Sequence, residues 1–281
     1  MKKNFNWYSH YALVTGAASG MGRIYSQELA LKGYNVILVD INAAGLEQTA
    51  AIVKETVEAS VKVPAEHKSS LKLMPIVQDL STMDAADRIY EATQAAGCEV
   101  EVLVNNAGVM YCQGIAETSE RMLKLIMMVH MNTPLMLCRK YINGMKERKR
   151  GYILNISSLA AWMSWPGIGM YGNTKRFVRN YSRELRIECQ FTGVSITNAY
   201  FGAVDTPLIP IKPSLKKLAR ALTVMISPEK AVRRALRATF WRCRGTMPGL
   251  LNKLFFPFIV ILPDFLLGLV YRMAKKHLMN V

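Results

Sequence analysis

Short apolar runs alternate with longer amphipathic stretches along most of this chain. Tyr11-Ala-Leu-Val14 is the first apolar run; it breaks into Thr15-Gly-Ala-Ala-Ser-Gly-Met-Gly22 and is followed by a helical pattern through Leu31. Asn35-Val-Ile-Leu-Val39 reads as a second strand ending in Asp40, residues 43 to 58 as an amphipathic helix, and the polar stretch from Ser60 to Leu71, with Pro64, as a loop. Leu73-Met-Pro-Ile-Val77 is the third strand and leads to Gln78-Asp79-Leu80. After a helix from Met83 to Ala96 comes the strand Val100-Glu-Val-Leu-Val104, closed by Asn105-Asn-Ala-Gly108. A long helical pattern runs from Glu120 to Lys146 across Met131-Asn-Thr-Pro134, where Pro134 is expected to loosen it. The strand Tyr152 to Ile156, a helix from Tyr171 to Gln190, the strand Ser195 to Ala199 and the turn Tyr200-Phe-Gly-Ala-Val-Asp-Thr-Pro207 complete the series. Strand-helix alternation of this kind predicts an α/β fold, a doubly wound parallel sheet with helices on both faces and functional groups at the carboxyl ends of its strands.

Composition narrows this little. A chain of 281 residues, 51% hydrophobic and 20% charged, is long enough for one full core and too apolar for disorder. Its five cysteines are odd in number and lack a C-x-x-C pair, so neither a disulfide framework nor a metal site is expected, and a reducing compartment fits. Lys2 and Lys3 precede an apolar run that enters a glycine turn instead of a cleavage site, so no signal peptide is read.

Charge placement changes the picture more. The formal net charge is +16. Lys212, Lys216, Lys217, Arg220, Lys230, Arg233, Arg234, Arg237, Arg242, Arg244 and Lys253 face Glu229 as the only acid in that span. No nucleic-acid motif accompanies the block, so an anionic bilayer is favoured over nucleic acid as its partner. Leu254 to Leu262, Phe265 to Tyr271 and the intervening Pro263-Asp264 are apolar but interrupted, with a further proline at 257. A transmembrane span is therefore not expected, and the tail either packs on the body or lies in a membrane surface. These features divide the chain into a body, residues 1–245, and a basic-flanked apolar extension, residues 246–281. They place the protein in the cytoplasm, at the inner face of a membrane where the tail binds one.

The candidate chemistry lies at the strand ends. Gly16, Gly20 and Gly22, with Ser19 and Met21 between them, permit a tight turn through which the backbone and a helix N-terminus approach a pyrophosphate. Asp40, followed by Ile41, stands where a carboxylate accepts both hydroxyls of an adenosine ribose. It would repel a 2′-phosphate about 5 Å away by roughly 3 kcal/mol per unit charge, which favours NAD over NADP. Asp79 and Leu80 are placed to meet the adenine, although Asp79 equally suits a helix cap. The small residues Asn106, Ala107 and Gly108 let the chain pass close to a flat ligand, or the asparagines tie strands together. Tyr171 and Lys175 share one helical face, so the ammonium is expected to lower the phenol's pKa and make it a general acid or base. Ser158, at a strand end, can hold a substrate oxygen against that phenol.

Together Thr15-Gly-Ala-Ala-Ser-Gly-Met-Gly22, Asn105-Asn-Ala-Gly108, Ser158 and Tyr171-Gly-Asn-Thr-Lys175 resemble the compact form of the short-chain dehydrogenase/reductase family, from residue 11 to about 207. The resemblance implies a Rossmann-type fold and an NAD(P)-dependent hydride transfer between nicotinamide and an alcohol or ketone carbon. It implies that Tyr171 is the acid/base, that Lys175 lowers its pKa and binds the nicotinamide ribose, and that Ser158 positions the oxygen. Asn132 would hold a relay water, and Gly202, Val204 and Thr206 would lie at the nicotinamide end. The chain departs from the family pattern in having Phe201-Gly202 where Pro-Gly is usual, and Thr174 where serine is common. Met247-Pro-Gly-Leu-Leu-Asn-Lys253 and the tail are similar to members acting on greasy substrates, such as hydroxysteroid dehydrogenases and long-chain ketoacyl reductases. An NADPH-dependent keto-lipid reductase and a non-catalytic membrane-bound binding protein are the alternatives. Residues Leu208, Ile209, Ile211 and Leu215 are expected to cover the pocket, and a homodimer or homotetramer is implied.

Overall fold

A computed structural model describes residues 7–111, 113–162, 167–205, 225–248 and 263–278. Each apolar run becomes a strand: β1 (Tyr11–Thr15), β2 (Asn35–Asp40), β3 (Leu73–Val77), β4 (Val100–Asn105), β5 (Gly151–Ser158) and β6 (Val194–Phe201). They pair in parallel in the order β3-β2-β1-β4-β5-β6, and the short strand Gly245–Thr246 adds a seventh at the β6 edge. The strands are apolar almost without interruption because both faces are covered. Alternate residues of β1 show this: Leu13 joins one core while Ala12 and Val14 join the other.

Helix α1 (Gly20–Ala30) and α2 (Ala43–Glu58) follow β1 and β2. With the Pro228–Phe240 helix they cover the face that buries Val14, Val36 and Leu38. The polar stretch expected to loop out contains a single helical turn, α3 (Ala65–Lys68), which starts after Pro64. The opposite face is covered by α4 (Ala85–Ala95), α6 (Thr133–Glu147) and α7 (Gly169–Glu188), burying Leu13, Ile37, Leu103 and Ile153.

The long helix is where the structure differs most from the pattern. It is divided into α5 (Glu120–Met127), a π-helical segment Met128–Asn132, and α6. Pro134 has no N–H to give, and in an α pattern the carbonyl so deprived is that of His130, four residues back. The ladder widens there instead, with the Thr133 N–H bonding the Met128 carbonyl. Ala203–Val204 and Met225–Ile226 form a separate two-stranded pair. The Gly245–Thr246 strand straddles the boundary expected between body and extension.

Candidate active site

The carboxyl ends of β1, β2 and β4 open on a cavity of about 1140 Å³. Its floor is the glycine turn. Gly16 has φ +68°, a conformation side chains resist, and a methyl group at Gly22 would lie 1.9 Å from the Gly16 carbonyl oxygen. Above Gly20, in contrast, an added methyl would touch nothing, so room remains where a pyrophosphate would sit on the start of α1. Gly16, Ser19, Gly20, Met21, Asp40, Ile41, Asp79, Leu80, Asn106, Ala107 and Gly108, the residues expected to hold the dinucleotide, all line this cavity. Gly22 lies beneath the turn.

Asp40 is held in place by two backbone donors, the Ala18 N–H to Oδ2 and the Asn42 N–H to Oδ1, each at 3.1 Å. A carboxylate has further lone pairs, so capacity remains for ribose hydroxyls. Arg23, the nearest arginine in sequence, is engaged by the Ala18 carbonyl, Thr49 and Gln48. Asp79 does not cap the helix that follows, which starts at Ala85 with Asp84 as its N-cap; its Oδ1 accepts from the Ser81 N–H and hydroxyl in a local turn, and the residue borders the cavity. The strand-tying reading holds for both asparagines. Asn105 donates to Asn155 Oδ1 at 2.8 Å, and Asn106 donates to the Thr15 carbonyl at 2.9 Å. The sequence does not foretell another wall of the cavity, formed by Arg121 and Lys124 of α5 and by Met128 at the start of the π-helical segment. Their spacing of three and four residues is the signal that marks a shared helix face.

At the other end of the groove stand the hydroxyl, phenol and amine. Ser158 ends β5 and is hydrogen-bonded to the Tyr171 phenol. Lys175 Nζ sits 5.6 Å from the centre of the Tyr171 ring and donates to the Ile156 carbonyl at 3.0 Å. The Ser157 hydroxyl bonds the Lys175 carbonyl at 3.0 Å, which fastens α7 to β5 at this level. The expected lowering of the Tyr171 pKa by Lys175 is not what this geometry gives. Burial raises the phenol, the Ser158 hydrogen bond partly opposes it, and burial also pulls Lys175 down to about 8.

From the π-helical segment, the side chain that reaches this group is His130 rather than Asn132. His130 is 1% exposed, and its Nε2 accepts the Val109 N–H at 2.9 Å, which leaves the proton on Nδ1. Nδ1 then donates to Thr174 Oγ1 at 2.9 Å, and the Thr174 hydroxyl donates to the Tyr171 carbonyl at 2.8 Å. The imidazole also meets the Tyr171 ring edge-on, with centroids 5.6 Å apart. A methyl group at Gly108 would come 3.2 Å from His130 Nε2 and 3.8 Å from Lys175 Nζ, so both nitrogens stand behind the groove wall at Gly108. Burial, followed by the Lys175 charge, holds the imidazole well below its ordinary pKa. Asn132 ends the π segment, half-buried. Among the described residues, side-chain hydrogen bonds from this segment to α7 come from His130.

Of the remaining expected residues, Val204 is 4% exposed and packs in the core, Gly202 lies in the turn after β6, and Thr206 falls outside the described residues. So do Leu208, Ile209, Ile211, Leu215 and the apolar run 254–262. The tail helix Asp264–Leu278 is described, and its Tyr271 lies against Gly114 and Gly167, close to the start of α7. Phe265 and Leu269 on the same helix are 74% and 55% exposed. Among the described residues no helix is long and apolar enough to cross a membrane.

A family model described as short chain dehydrogenase matches residues 10–212. A very-long-chain 3-oxoacyl-CoA reductase of Mus musculus is 30% identical over 278 residues, spanning 96% of this chain and 84% of that one. A 17-beta-hydroxysteroid dehydrogenase type 3 of Danio rerio is 30% identical over 239 residues, 83% of this chain and 71% of its own. Among solved structures, a 7beta-hydroxysteroid dehydrogenase superposes with a TM-score of 0.75 at 23% identity, over 88% of this chain and 90% of that one. A short-chain dehydrogenase from Sphingobium yanoikuyae, in complex with NADPH, gives 0.72 at 20% identity over 97% and 98%. At those identities the structural likeness establishes the fold.

Proposed function

This chain belongs to the short-chain dehydrogenase family and is an oxidoreductase of CH–OH groups that uses a nicotinamide cofactor; we propose that it moves a hydride between NAD and the ketone or secondary alcohol of a hydrophobic substrate, a steroid or a long acyl chain. The observation that carries this reading is the grouping of Ser158, Tyr171 and Lys175 at the end of a glycine-floored groove.

A dinucleotide fits that groove. The glycine turn would hold its pyrophosphate, Asp40 its adenosine ribose, Asp79, Leu80 and Ile41 its adenine, and Lys175 the ribose beside the nicotinamide. When bound, the nicotinamide supplies or accepts the hydride. The protein's own residues handle the substrate oxygen. Ser158 orients it, and Tyr171 gives its phenolic proton to it in reduction or takes that proton back in oxidation. Because burial keeps Tyr171 protonated, the resting site is set to donate, which is the role ketone reduction requires. His130 holds the Ala107–Val109 wall and the first turn of α7 in register. As a neutral imidazole it does so without adding a second positive charge beside Lys175.

Asp40 supports NAD as the cofactor, and the hydrophobic substrate class is supported by what both relatives are named for and by the tail helix lying near the site. The second reading is a long-chain keto-lipid reductase using NADPH, favoured by the 3-oxoacyl-CoA reductase relative. The basic, apolar tail suits peripheral contact with an anionic membrane, and the long helices suit a dimer or tetramer. Turnover of steroid and 3-oxoacyl thioester panels with NADH and with NADPH tests the whole reading. Tyr171→Phe should cut turnover by roughly 10²- to 10⁴-fold while leaving cofactor affinity unchanged; undiminished turnover would overturn the acid/base assignment.

A further inference from the structure

Farther along α7 from Tyr171 lies a second cavity, of about 300 Å³, bordered by Trp162, Arg179, Arg183, Asn198, Tyr200 and Arg244. Nothing in the hydride-transfer scheme uses it. Four arginines elsewhere in this protein, Arg88, Arg148, Arg150 and Arg233, each meet a carboxylate. Among the described residues, Arg179, Arg183 and Arg244 meet none. The Arg179 guanidinium is instead laid on the Trp162 indole, its central carbon 3.4 Å from the ring centre, and that indole packs edge-on against Tyr200. All three guanidinium charges act on the Tyr200 phenol, so they converge on one place.

Like charges gathered in a concavity with flat walls disfavour each other and favour an anion. A second observation points the same way. Asn198 is 3% exposed, and its Oδ1 has no hydrogen-bond partner, an arrangement that costs roughly 1–3 kcal/mol when left unmet. A ligand combining anionic oxygens with an O–H satisfies both the guanidiniums and this acceptor. A phosphate ester of a sugar has that combination near neutral pH: its phosphate, with a second pKa of about 6, is mostly dianionic there, and a neighbouring sugar hydroxyl supplies the O–H. The cavity is also too large for a bare ion, given that a water molecule's share of liquid is about 30 Å³.

We propose that this cavity is a subsite for a phosphate ester, and that the phosphate it takes is carried on the substrate's acyl carrier, as in a CoA thioester. Its position suits that source. Trp162 lies four residues beyond Ser158, and Arg179 and Arg183 lie eight and twelve residues beyond Tyr171 on one helix, ~12 and ~18 Å along its axis. A flexible pantetheine arm spans such a distance between a reacting thioester and its phosphates. The identity of the carrier rests on the acyl-chain reading above, whereas the phosphate chemistry does not.

The test uses full-length protein saturated with NADH, wild type and Arg183→Gln/Arg244→Gln. Titration calorimetry measures CoA and inorganic pyrophosphate; kinetics compare one 3-oxoacyl chain on CoA and on N-acetylcysteamine, which carries no phosphate. The expected result is that pyrophosphate competes with CoA and that the double variant weakens CoA binding and raises KM for the CoA thioester at least tenfold. Both kcat and KM for the N-acetylcysteamine thioester should stay unchanged, which also shows that the variant is folded. Equal CoA affinity and KM in both proteins overturns the proposal while leaving the acyl-chain reading intact. Arginine-dependent CoA binding without turnover of either thioester supports the phosphate site and sinks the acyl-chain reading. Arginine-dependent binding to phosphatidylcholine vesicles containing phosphatidic acid, with no binding of CoA, overturns the carrier assignment in favour of a lipid headgroup.

Discussion

His130 Nδ1 lies 2.9 Å from Thr174 Oγ1 inside the protein, and this one hydrogen bond joins the π-helical segment to the helix that bears Tyr171 and Lys175. Thr174 passes the bond on to the Tyr171 carbonyl at 2.8 Å, so the pair fixes the backbone from which the phenol projects. Thr174→Val keeps the shape but strands the imidazole N–H. We expect it to cost roughly 1–3 kcal/mol of stability and to lower kcat about tenfold with little change in cofactor affinity. Thr174→Ser should restore both. Denaturant unfolding with steady-state kinetics on the three proteins checks this.

The same imidazole makes stability depend on pH. Its folded pKa is depressed, so in the unfolded chain it takes up a proton near its ordinary value of about 6.5 while the folded protein still refuses one. Stability is therefore fully present above that value and is lost as pH falls below it. The urea midpoint should drop between about pH 7.5 and about pH 5.5, and His130→Gln should remove most of the drop. A midpoint in the wild type that does not respond to pH in this range would contradict the buried neutral imidazole.

Lys175 illustrates a cost borne for function. Burial lowers its pKa from 10.5 to about 8, so at pH 7 the folded protein carries an ammonium that its surroundings disfavour. Removing that charge with Lys175→Met should raise stability by up to about 3 kcal/mol at neutral pH and abolish turnover. In the wild type, stability should rise with pH between about 8 and 10.5, where the folded lysine has released its proton and the unfolded one has not. Thermal melts across that range measure both effects.

The proposed preference for NAD rests on Asp40. With both oxygens anchored by backbone N–H groups, it cannot swing away from a 2′-phosphate. Asp40→Ser removes a repulsion of roughly 3 kcal/mol, so the ratio of kcat/KM for NADP(H) over NAD(H) should rise by about 10²-fold. A wild-type enzyme that already prefers NADPH would refute this assignment.

Much of this protein is legible in its residues because the determinants are local. Alternation of apolar runs with amphipathic stretches dictated a parallel sheet covered on both faces, and the observed strands contain the predicted runs. The glycine turn was readable because a methyl group at Gly22 is sterically impossible, and Tyr171 and Lys175 because four residues along a helix give one face. What lay beyond reading was set by contacts between distant segments. Asn132 was the natural polar candidate beside Pro134, yet the widened turn directs His130 to a partner 44 residues away. The Tyr171 pKa follows from how deeply α7 is packed, and that burial outweighs the neighbouring charge emphasised by the sequence. The three arginines of the second cavity come from α7 and from the edge strand's approach, and only the closing of the sheet at β6 brings them around one space. Spacing along a chain fixes which side chains share a helix or strand; which helices and strands meet, and what dielectric they create where they meet, is decided by packing.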